Sequence, residues 1–145
     1  MEIELVNIKF QANGVIIAPT LVYFADGQRK QYLDLVIDTG GTSMLISKHA
    51  LAQMGYTGFE KSTVKSLGAS GTFYANICPL SKFNFCGLSF NNYPVKVWNA
   101  PQNHHVAGTI GMDILRHFNM SINTDTYLAT IEVNNLTKER HDYGR

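Results

Sequence analysis

The chain has 145 residues, 45% of them hydrophobic, which is enough for one domain to bury a core without disulfide or metal staples. Twelve basic and eleven acidic residues leave a formal charge of +1, and neither sign forms a long run. That balance argues against nucleic acid or an anionic membrane as the main partner, so a substrate groove has to be read from shape and motif.

Residues Met1 to Phe10 alternate charged and apolar types and lack the basic start and apolar core of a signal peptide, and no apolar run reaches the length of a membrane span. A cytoplasmic location is expected on that basis. Cys78 and Cys86 are spaced too widely for a redox or zinc pair and are expected to be free thiols.

Along the chain, β-branched and aromatic runs alternate with Gly, Asn, Asp and Pro clusters. Expected strands are Glu2 to Phe10, Thr20 to Phe24, Gln31 to Ile37, Ser62 to Leu67, Thr72 to Leu80, Lys82 to Phe85, Leu88 to Val97, Asn119 to Asn123 and Tyr127 to Val133. Asp26-Gly27 marks a hairpin turn that delivers the chain to Asp38. Ser47 can cap a helix in which Leu51 and Met54 share a face and Gly55 forms the exit, and a second short helix is expected at Met112 to His117. These elements predict an all-β domain over residues 1–133, a closed or partly closed barrel with one or two short helices. Residues 134–145 read as a polar tail with the composition of a frayed end.

The informative stretch is Leu35-Val-Ile-Asp-Thr-Gly-Gly-Thr42, an apolar strand running into a carboxylate and then turning through two glycines. Two such carboxylates brought together would share one proton, the state in which one activates water while the other protonates a substrate carbonyl. Gly40 and Gly41 let backbone approach the acid, and the Thr39 hydroxyl can reach a symmetry mate. An Asp-Thr-Gly triplet alone is also what an ordinary strand-to-turn junction looks like. Three apolar residues before it, a capped helix after it and Thr109-Ile-Gly-Met-Asp-Ile-Leu115 further on favour the catalytic reading.

On these motifs the sequence resembles the retropepsin-like aspartic proteases, from roughly Gln31 to Val133. Val36-Ile37-Asp38-Thr39-Gly40-Gly41-Thr42 matches the catalytic loop of that family. Ile110-Gly111 matches its apolar-apolar-Gly segment, with Thr109 in place of the first apolar residue and Gly41 in place of the commoner Ala or Ser. The resemblance implies catalytic roles for Asp38, Thr39 and Gly40. It implies substrate contacts from Gly41 and Thr42, and from a flap hairpin at Leu67, Gly68, Ala69, Ser70 and Gly71, whose backbone would pair with an extended peptide.

No other acid stands in an Asp-Thr/Ser-Gly setting. Asp26 lies in a turn, Asp34 on the preceding strand, Asp113 in the second motif, Asp125 before Thr126-Tyr127, and Asp142 in the tail. The resemblance therefore implies a homodimer that joins two copies of Asp38 across a twofold axis, with Met1 to Phe10 and Tyr127 to Val133 as candidate interface strands. The expected activity is aspartic endopeptidase, with peptide or protein substrates and no cofactor. The alternative is an inactive module of the same fold that binds peptide or dimerises.

Other reactive residues fit no mechanism. His104-His105 lacks a third ligand at metal-site spacing, so no metal is expected. Ser43 and Ser47 lack a nucleophile elbow, and His49 and His117 are assigned to helix surfaces or packing. Phe83, Phe85, Phe90, Tyr93 and Trp98 could line a hydrophobic groove, but for most of them the barrel core is the expected place.

Overall fold

The computed structural model describes residues 5–59, 63–68, 71–100 and 105–143. The strands are β1 (Leu5–Lys9), β2 (Ile17–Tyr23), β3 (Lys30–Ile37), β4 (Leu45–Ser47), β5 (Thr63–Gly68), β6 (Gly71–Phe85), β7 (Leu88–Trp98), β8 (Gly108–Ile110), β9 (Phe118–Asn123) and β10 (Leu128–Val133). The helices are α1 (Lys48–Gln53), α2 (Met112–Leu115) and α3 (Asn135–Tyr143).

Strands β2-β3-β8-β4-β7-β6 form a sheet that closes on itself through β2–β6 pairing, giving a six-stranded barrel with β5 appended beyond β6. Closure removes the open edges that so many short strands would otherwise expose. Inside lie Val22, Leu35, Ile46, Leu80, Phe83, Phe85 and Ile110, each fully or almost fully buried. Phe83 stacks on Phe90 at 4.7 Å and meets Tyr93 edge-on at 5.6 Å, so these three, with Phe85, pack in the core as expected, whereas Trp98 is half-buried outside the core cluster. A separate three-stranded sheet, β1-β10-β9, lays Ile8, Ala129, Ile131 and Val133 against this core.

Several boundaries differ from the sequence expectation for identifiable reasons. β2 begins at Ile17 and runs through Pro19, which faces Asp34 on β3. Ile37 N–H donates to Ile16 O (2.9 Å), and this sets the alternation so that position 19 needs no N–H toward β3. β6 continues past Ser81 as one 15-residue strand. There the Ser81 hydroxyl donates to Phe24 O (2.9 Å), and its N–H donates to the Tyr56 hydroxyl (3.0 Å), so the residue is tied in rather than turned out. The Cys86-Gly87 turn places both residues at positive φ, 47° and 86°, as a two-residue hairpin demands.

The helix at Ser47 forms as expected: the Ser47 side chain accepts from Ala50 N–H (3.1 Å), and Gly55 exits at φ 83°. The tail is a correction, because residues 135–143 form a third helix instead of a frayed end. Asn134 is the reason. Its side-chain oxygen accepts from Thr137 N–H (2.9 Å), capping the helix, while its amide donates to Arg116 O (2.8 Å). Among the described residues no helix is long and apolar enough to cross a membrane.

Candidate active site

β3 carries Leu33 and Leu35 into the core and ends at Ile37, so that Asp38 emerges half-buried at the end of the strand. The acid is therefore less enclosed within one chain than the apolar run before it suggests. Its backbone N–H donates to Ile110 O (2.9 Å), continuing the parallel β3–β8 ladder in which Val36 faces Thr109 and Ile37 faces Ile110. The loop then tightens: Gly40 N–H donates to Asp38 Oδ1 (3.1 Å) and Gly41 N–H to Asp38 O (3.1 Å). Met112 N–H, at the start of α2, donates to Gly41 O (2.8 Å).

The glycines have specific reasons. A Cβ on Gly41 would stand 2.9 Å from Asp38 Oδ2, so its absence leaves room for the carboxylate in this orientation. A Cβ on Gly111 would stand 2.8 Å from both N and O of Ser43, so β8 and the loop pack backbone to backbone. Thr39 is exposed, and among the described residues its hydroxyl has no partner within the chain. Thr42 is exposed beside it.

The structure thus brings Asp38, Thr39, Gly40, Gly41 and Thr42 together with Ile110, Gly111 and Met112. The hairpin expected at Leu67 to Gly71 exists: β5 and β6 pair from Thr63↔Asn76 to Gly68↔Gly71. Ala69 and Ser70 lie outside the described residues, and no hydrogen bond joins the described part of the hairpin to the Asp38 loop. His104 also lies outside them; among the described residues no three His, Cys, Asp or Glu side chains converge as a metal site would require.

Sequence reading missed Asp113. Its carboxylate Oδ2 accepts from Met44 N–H (3.1 Å) and from the Tyr93 hydroxyl (2.8 Å), bridging α2, the end of the Asp38 loop and β7. Burial foremost, and then this hydrogen bond, push the Tyr93 phenol well above its usual range, so it stays a donor. The only signal in the sequence was the position of the acid in the motif after Gly111.

A family model described as "Aspartyl protease" matches residues 22–114, a span holding both motifs and the hairpin between them. The chain belongs to the aspartyl protease family. Among solved structures, it is similar to a retropepsin-like aspartic protease from Rickettsia conorii, with a TM-score of 0.65 and 16% identity over 91% of this chain and 93% of that one. It is also similar to the retroviral protease-like domain of Ddi1 from Leishmania major, with a TM-score of 0.49 and 18% identity over 83% and 89% of the two chains. No curated protein matches the sequence. The barrel is the retropepsin fold.

The two strands expected at an interface, β1 and β10, pair with each other inside one chain from Leu5↔Glu132 to Lys9↔Leu128. β10 is the middle strand, with β9 on its other side, so both of its edges are taken. Of the two candidates only β1 keeps an outer edge among the described residues, and β9 lies at the other edge of this sheet.

Proposed function

We propose that this member of the aspartyl protease family is an endopeptidase that cleaves peptides as a homodimer, with water activated between two copies of Asp38. The observation that carries the reading is the lone carboxylate at the end of β3. Backbone contacts from Ile110 and Met112 fix its loop, and the Thr39 hydroxyl beside it is exposed and has no partner among the described residues. A single carboxylate cannot act as base and acid at once; a twofold axis through the loop supplies the second.

In the assembled site the two carboxylates share one proton. The ionised Asp38 takes a proton from water as its oxygen adds to the substrate carbonyl carbon, and the protonated Asp38 gives its proton to the carbonyl oxygen. The neutral tetrahedral intermediate then collapses as the carboxyl that took the water proton gives it to the amide nitrogen, the other carboxylate takes a proton from a hydroxyl of the intermediate and the C–N bond breaks, which restores the shared proton with no covalent enzyme intermediate. Gly41, Thr42 and the β5–β6 hairpin offer backbone groups to an extended substrate, the hairpin acting as a flap. Sheet pairing between copies is open to the outer edges of β9 and β1.

This reading makes activity depend on chain concentration. Below the dissociation constant of the dimer, cleavage rate is expected to rise with the square of chain concentration, becoming linear where sedimentation shows dimer. A rate linear in concentration throughout, with a sedimenting monomer, rules out the shared site.

A further inference from the structure

The loop from Asp38 to Met44 is pinned from the β8–α2 side at three points. Ile110 O accepts from Asp38 N–H at its start (2.9 Å), and Met112 N–H donates to Gly41 O in its middle (2.8 Å). The Asp113 carboxylate accepts from Met44 N–H at its end (3.1 Å). The first two are backbone contacts, which any residue could make. The third is a side chain reaching across 69 positions of sequence, and it is charged, so it is the stronger kind of hydrogen bond.

The surroundings of Asp113 hold that carboxylate in one orientation. Tyr93 donates to the same Oδ2 at 2.8 Å, and the Tyr93 ring is itself held edge-on against the stacked pair Phe83 and Phe90, with centroids 5.6 Å from each. Oδ1 accepts from Ile114 N–H (3.0 Å). An acid placed merely to favour a helix start would not need these contacts. α2 is only four residues long, and the partners of Asp113 lie on the loop and on β7. Met44, which it holds, is fully buried, and its carbonyl accepts from Lys96 N–H (3.1 Å), so this end of the loop is anchored on both sides of the barrel wall.

We infer that Asp113, oriented by the Tyr93 hydroxyl, is a positioning residue: it sets the shape of the loop that carries Asp38, and touches no substrate itself. Its consequence for catalysis rests on the protease reading above; its effect on the loop does not. In a two-copy site each loop must present its acid at hydrogen-bond distance from the other, so a small shift at Met44 is felt twice.

The test uses the full chain with Asp113→Ala, Asp113→Asn and Tyr93→Phe, read by backbone hydrogen exchange and by steady-state kinetics. Asp113→Ala is expected to speed exchange at the Met44 and Gly41 amides about tenfold or more, with the Leu80 and Val95 amides of the barrel unchanged. It is expected to lower kcat about tenfold or more while KM moves by less than about threefold. Asp113→Asn can keep an acceptor toward Met44 N–H and the Tyr93 hydroxyl but loses the charge and sets its NH2 against Ile114 N–H, so both readouts are expected to lie nearer the parent than those of Asp113→Ala without reaching it. Tyr93→Phe is expected to fall between the parent and Asp113→Ala.

The inference is overturned if exchange at Met44 is unchanged in Asp113→Ala, if exchange rises evenly across the barrel, or if Asp113→Asn is no nearer the parent than Asp113→Ala. Should the parent chain cleave no peptide, the protease reading fails and the exchange pattern alone decides this one. Should Asp113→Ala not fold, faster exchange at Met44 but not at Leu80 and Val95 in Asp113→Asn or Tyr93→Phe supports the inference, and exchange unchanged at Met44 or raised evenly in both overturns it.

Discussion

Replacing Asp38 with Asn is expected to lower peptide cleavage by at least roughly 10³-fold, because the amide can neither take the proton of the attacking water nor hold the proton that the pair shares. The fold should survive. Asp38 is half-buried, and among the described residues its one side-chain hydrogen bond is from Gly40 N–H at 3.1 Å, which an Asn oxygen also accepts. Melting temperature and sedimentation are therefore expected to match the parent, so that a loss of cleavage reports on chemistry alone. Undiminished cleavage by a purified Asp38→Asn chain contradicts the assignment. An inactive parent chain would instead favour the binding-module alternative.

Gly108→Ala is expected to be the most damaging single methyl added to the molecule. A Cβ at this position would lie 1.9 Å from Leu45 O, 2.8 Å from Leu45 C and 3.0 Å from Ile46 Cα, all backbone atoms that cannot rotate away. β8 here runs between β3 and β4, with Gly108 opposite Leu35 on one side and Ile46 on the other. Relief requires β4 to move, and β4 carries the fully buried Ile46 and leads into the Ser47 cap of α1. A destabilisation of about 3 kcal/mol or more follows from overpacking against fixed backbone. For a domain of this size that lowers the melting temperature by roughly 6–12 °C. A scan showing less than about 2 °C of change contradicts the packing described.

What the sequence disclosed was chemistry that is local, and what it concealed was pairing that is not. Asp38-Thr39-Gly40 and Ile110-Gly111 are short motifs, and the fold places them side by side through the Asp38 N–H to Ile110 O bond. The hairpin turn at Asp26 was equally legible, because its carboxylate accepts from the nearby Gln28 and Arg29 N–H groups at 2.8 and 3.0 Å. β4 and β8 left no trace, since a three-residue strand has no periodicity and exists only because its neighbours pair with it. Pro19 and Ser81 resembled breaks because the neighbours that accommodate them, on β3 and after Tyr23, are distant in sequence. α3 was hidden by a polar composition that says nothing of its cap, although Asn134 is a residue type that starts helices. Asp113 was seen only as part of a motif, since its partners Met44 and Tyr93 are 69 and 20 residues away.

The central claim, that each chain holds half of one catalytic site, is tested most directly by calorimetric titration with a statine-containing peptide, which mimics the tetrahedral intermediate. The account predicts saturation at one peptide per two chains, with binding lost in Asp38→Asn. Saturation at one peptide per chain, or binding that survives Asp38→Asn unchanged, would contradict it.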